Sequence, residues 1–172
     1  MNGRGAAASL AALLAAACSR PATSPAAPAG SSAPAPAAGP RIVLPSGAAI
    51  AVETAVTDEE RTQGLMFRES MPPASGMVFL FDGLEIRPFW MKNCHFPLDM
   101  IYAKKDGTVV DVLKNVPPCA PDPAPCPSVV PEAKADTVLE VNAGVAGANG
   151  VVPGAKLTWV GIPGRESAPL VR

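Results

Sequence analysis

Residues 89–102, FWMKNCHFPLDMIY, gather most of the side chains in this chain that can do chemistry. A mostly apolar ribbon carries Trp90, Lys92, Asn93, Cys94, the one histidine of the chain, His95, and Asp99. Lys92 in such surroundings needs a counter-charge, because burying a lone ammonium is costly. Asp99 is the nearest carboxylate in sequence, and a turn fixed by Pro97 would fold it back towards Lys92 and Asn93. One reading is a salt bridge and an amide that pin this turn. The other is a polar cluster beside Trp90 that binds a small ligand. An enzyme using Asp99 and Lys92 is a further alternative, but the reaction is unspecified: with a single histidine there is no serine–histidine–acid or metal-ligand spacing.

Cys94 admits two roles. It is a small buried hydrophobe on a strand, or a nucleophile activated by His95, with Lys92 stabilising the thiolate. Successive strand side chains point to opposite faces, which sets Cys94 and His95 apart unless the strand has already ended. Methionines 66, 71, 77, 91 and 100 supply soft thioethers that, with Cys94 and His95, would suit a copper carrier; such methionines otherwise fill a core. No resident metal or cofactor is expected. Arg61 and Arg68 flank a short helix. They are surface or helix–sheet pairing groups, or a clamp for a carboxylate or phosphate.

The elements that must position these residues are mostly short strands. Apolar, β-branched and aromatic runs predict strands at 48–56, 76–81, 87–93, 99–104, 108–114, 137–143 and 156–161. In the 87–93 strand, Trp90, Lys92 and Cys94 share one face, and Phe89, Met91 and Asn93 the other. Asp106-Gly107 is the preferred pair for a tight two-residue hairpin, so 99–104 should pair with 108–114. Only one helix is clear. Thr57 and Glu60 form a capping box at its start, and Gly64 ends it after about two turns. Strands joined by hairpins predict a mainly β fold: an antiparallel β-sandwich, jelly-roll-like, or a partly closed barrel with one short helix. Between 115 and 136 seven prolines interrupt any periodicity, and a loop of that length is functional or tied down. Cys119 and Cys126 would staple it with a disulfide, leaving Cys94 unpaired.

The ordered set "ER–GLM-R" at 60–68, "GMVFLF", "FWMKN–PLD" at 89–99, a "DG" hairpin, a "C…PC" loop and "VLEVNAG" at 138–144 resembles the family called domain of unknown function 192. The resemblance covers nearly all of residues 41–161. It implies a small, often exported single domain with a β-sandwich of jelly-roll type and one short helix, and it implies no activity. Arg61 and Arg68 fall on family positions. Cys94 stands where family members commonly have threonine or cysteine, which argues against an obligatory nucleophile.

The N-terminus predicts export. Residues 6–17 are apolar and of signal-peptide length, too short to span a bilayer. They end in LLAAACS, which resembles the lipobox of bacterial lipoproteins, although Ala15 stands where leucine is usual. Residues 1–17 are thus expected as a signal peptide and Cys18 as the lipidated residue, with Ser19 favouring outer-membrane sorting. Alanine and proline fill 14 of the 22 positions from 19 to 40, a composition that forms no core and makes a semi-extended tether. The organisation is then signal peptide 1–17, lipidated cysteine and tether 18–40, and one domain 41–172. A net charge of −1 and the lack of any basic run exclude a nucleic-acid groove. The expectation is a module lipid-anchored in the outer membrane or periplasm, with an unknown small molecule or envelope protein as partner.

Overall fold

The computed structural model describes residues 39–119 and 125–165. The expected signal peptide, Cys18 and most of the tether lie outside the described residues. The elements are β1 (Arg41–Val43), β2 (Ala49–Ala55), α1 (Asp58–Gln63), β3 (Ser75–Glu85), β4 (Leu98–Ala103), β5 (Val109–Val116), β6 (Ala135–Asn142), α2 (Val145–Ala148) and β7 (Thr158–Val160). All seven strands join one curled sheet in the order β5-β4-β6-β3-β2-β1-β7. The mainly β expectation holds, in its partly closed barrel form. The pairing is not wholly antiparallel: β2 and β3 run parallel, with α1 in the crossover between them.

Both faces of the sheet are covered. On one, Val78, Leu80, Ile101, Leu139 and Val141 pack with Ala146 of α2 and with Val151, Leu157 and Ile162. On the other, Phe79, Met100, Tyr102 and Val138 pack under Leu65, Met71, Met91 and Cys94. The central strands β4 and β6 are therefore buried on both sides along nearly their whole length.

Local chemistry explains the connections. α1 starts on the expected capping box: Glu60 N–H donates to Thr57 Oγ1 at 3.2 Å, and Thr57 N–H donates to Glu60 Oε2 at 2.9 Å. Gly64 ends it with φ 46° and lies against the Phe79 ring, where an added Cβ would come within 3.2 Å. β4 and β5 form the expected hairpin, but its loop is three residues, closed by Lys104 N–H to Thr108 O at 2.9 Å. Gly107 sits there at φ 82°, and any side chain would run into the Leu157 carbonyl. Arg165, buried at the end of the described chain, donates to Thr137 Oγ1 and the Asp136 carbonyl, both at 2.7 Å. The Cys119–Cys126 disulfide is present as expected, and Cys94 is free and buried.

Two expectations need correction. Residues 87–93 are not a strand: only Phe89 pairs, through an isolated bridge to Val129. Pro88 contributes no donor, and Asn93 at φ 55° turns the chain out of line. β1 takes the seventh place in the sheet instead. A second helix, the single turn α2, also forms after Gly144.

Candidate functional site

Without a strand at 87–93, the predicted two-face alternation there does not hold. Met91 and Cys94 turn inward together, Trp90 and Lys92 turn outward, and Lys92 lies over the Trp90 ring at 5.4 Å. The turn is held against the end of α1 by Phe67 N–H donating to the Asn93 carbonyl at 2.7 Å. Asn93 Nδ2 also contacts Met66 Sδ at 3.9 Å. These contacts frame a cleft of about 360 Å³, with α1 on one side, residues 88–94 on the other, and Phe79 and Glu140 of the sheet lining its depth.

Glu140 is the feature of this cleft that the sequence reading passed over. The register across β2, β3, β6, β4 and β5 sets Glu53, Met77, Glu140, Met100 and Leu113 in one row on the cleft face. Its lateral neighbours are therefore thioethers, which bring neither charge nor a donor. The residue is 4% exposed and makes no hydrogen bond or ion pair among the described residues. Burial pushes its carboxyl up to about 8. The one signal in the sequence was a lone glutamate inside TVLEVNA.

The same carboxyl acts on its neighbours. Burial, and then the charge of Glu140, push the Cys94 thiol up to about 11. A thiol so placed resists forming the thiolate a nucleophile needs. His95 does not help it, because the ring is turned outward and Nδ1 lies 2.8 Å from Glu69 Oε1. The hydroxyl of Tyr102 is raised too, by burial first and then by the charges of Glu140 and Asp111.

The other predicted residues divide. Arg61, Trp90 and Lys92 line the cleft. Arg61 donates to the Leu80 carbonyl at 2.8 Å, pairs with Asp58 and stacks 5.1 Å from the Phe81 ring centre, so much of its capacity is taken. Arg68 is engaged elsewhere, in a two-pronged pair with Glu53 at 2.5 and 2.8 Å that holds the Glu53 carboxyl below its ordinary value. The predicted turn between Asp99 and Lys92 does not form. Asp99 is fully buried on the opposite face, where it accepts from Asn115 N–H at 2.8 Å and from Ala146 N–H at 2.9 Å. It ties β4 to the irregular end of β5 and to the start of α2.

Residues 41–159 match DUF192, described as an uncharacterized ACR. The chain belongs to this family. Two solved structures resemble this DUF192 protein. One, from Sinorhizobium meliloti 1021 and named as a candidate transcription regulator, is 35% identical with a TM-score of 0.62, covering 72% of this chain and 93% of its own. The other, a protein of unknown function from Novosphingobium aromaticivorans DSM 12444, is 31% identical with a TM-score of 0.61, covering 70% and 83%. No curated protein matches the chain.

Proposed function

We propose that this DUF192 protein is a small-ligand binding module of the bacterial envelope, exported by residues 1–17 and anchored through a lipidated Cys18. The observation that carries the binding role is the cleft: an aromatic and apolar cavity of about 360 Å³ with a buried carboxyl, Glu140, that has no partner among the described residues. Ligand sites are typically concave, mostly apolar, and supplied with a few convergent polar groups. Trp90 and Lys92 stand at the mouth, and Glu140 stands deep within. Catalysis is disfavoured by the raised Cys94 thiol and by the separation of Asp99 from Lys92.

The test is ligand screening of the full chain by thermal shift, followed by Trp90 emission. A ligand at a hundred times its Kd stabilises the folded state by about 2.7 kcal/mol. Trp90→Ala should abolish the response. If no compound among amines, alcohols and carboxylates shifts melting in a Trp90-dependent way, the reading fails. For the anchor, Cys18→Ala should release the protein from membranes. Finding the unaltered chain free in the periplasm would refute lipidation.

A soft-metal carrier is the second reading. One observation favours it: Met71, Met77, Met91 and Met100 pack in one cluster with Cys94. His95, on Glu69, drops out of the donor set. Metal analysis after copper(I) loading decides it.

A further inference from the structure

The unpartnered carboxyl in the cleft defines what the ligand must bring. Glu140 can accept through two oxygens, yet no N–H or O–H of the protein reaches it among the described residues. Its surroundings are Met77 and Met100 along the row, the Cys94 thiol, and the aromatic rings of the cleft. None of these compensates a carboxylate, and an uncompensated buried charge is strongly unfavourable. A carboxylate or phosphate ligand would deepen the mismatch. A neutral alcohol would donate one hydrogen bond and leave the charge. An ammonium supplies up to three donors and the opposite charge at once. Aromatic walls of Phe79 and Phe89 suit the hydrocarbon of such a ligand and tolerate its charge.

We infer that the Glu140 cleft takes an organic ammonium ion, a primary or substituted amine on an apolar body, with its nitrogen paired to Glu140 and its hydrocarbon against Phe79 and Phe89. This rests on the binding-module reading and names its ligand class. Lys92 and Arg61 line the same cleft, and Lys92 has no carboxylate partner among the described residues. A second positive charge on the ligand is therefore disfavoured there, and an anionic group on the outer part is tolerated.

Binding of this kind displaces the proton that Glu140 holds. The groups that face or surround the carboxyl are Cys94 and Lys92 from the 88–94 segment, Tyr102 from β4, and Asp58 and Arg61 from α1. Glu53 with Arg68 lies beyond Met77, and Asp111 beyond Tyr102. With a free carboxyl near 8, the affinity for a cation rises about 50-fold between pH 6 and 8 and levels above that. A neutral ligand shows no such rise.

The experiment uses the full chain and three probes of one shape: 2-phenylethylamine, 2-phenylethanol and 3-phenylpropanoate. Calorimetric titration from pH 6 to 9 is run alongside Trp90 emission. The amine should bind best, with the stated rise. Glu140→Gln should weaken the amine by about 30-fold or more at pH 8, as expected when one partner of a buried charge pair is lost, and leave the alcohol within about twofold. The wild-type comparison across pH needs no variant, so a poorly folded Glu140→Gln does not block the test. If the alcohol or the propanoate binds as tightly as the amine, or amine affinity falls as pH rises, the ammonium inference is overturned while the cleft remains a binding site. If none of the three binds, both are overturned.

Discussion

Replacing Glu140 by glutamine should make the protein more stable, and increasingly so as pH rises. In the folded chain burial raises the carboxyl from its ordinary 4.5 to about 8. The folded state therefore holds this proton over a pH range where the unfolded chain has already released it. Stability falls wherever the unfolded state binds fewer protons, so the loss begins near 4.5, runs through neutral pH, and is complete above about 8. At about 1.4 kcal/mol per pH unit, the whole interval costs about 5 kcal/mol, with about 3 kcal/mol already lost at pH 7. That is a large share of the 5–15 kcal/mol or so by which domains are stable. Glutamine keeps the shape and has no charge to bury. Urea unfolding of wild type and Glu140→Gln at pH 5, 7 and 9 measures the difference, and the other titrating groups cancel in the comparison. The gap in favour of the variant should widen by several kcal/mol from pH 5 to 9 with unchanged m-values. A gap that stays constant across that range would refute the reasoning, because it would mean that the carboxyl is hydrated or paired in solution.

Three further outcomes follow from the geometry. Asp99→Asn removes an acceptor from a site where two backbone amides converge, so one of Asn115 and Ala146 loses its partner; the denaturation midpoint should drop by the equivalent of about 1–3 kcal/mol, with cleft binding in the folded fraction unchanged. Cys119→Ser with Cys126→Ser opens a short loop, costing about 2–3 kcal/mol in urea unfolding on the chain-entropy account, and unchanged stability would show that the Phe89–Val129 bridge alone holds it. Cys94 should resist iodoacetamide at pH 8 in the folded chain and react only on unfolding, and rapid labelling would contradict both its burial and its raised thiol.

The features legible in the sequence were those with local causes. Thr57 and Glu60 announce a helix start because the capping box spans only four residues, and Asp106-Gly107 marks the β4–β5 hairpin because a turn depends on its own backbone. The disulfide between Cys119 and Cys126 was legible for the same reason. What failed depended on distant partners. Residues 87–93 have strand-like side chains, but Pro88 and the left-handed Asn93 keep them out of the sheet. Asp99 lies close to Lys92 in sequence, yet its acceptors' partners come from β5 and α2. Glu140 alternates with Leu139 and Val141 in a pattern that fits a strand with one wet face. Only the chain folded over that face, from α1 and from residues 88–94, turns it into a buried carboxyl.

The most direct measurement is the titration of Glu140 itself. Carbon-13 NMR of the side-chain carboxyl in the ligand-free full chain, assigned by its disappearance in Glu140→Gln, reports the midpoint without reference to any ligand. The expected midpoint is near 8, the mark of a buried carboxyl without a partner among the described residues. A midpoint near the ordinary 4.5 would contradict it.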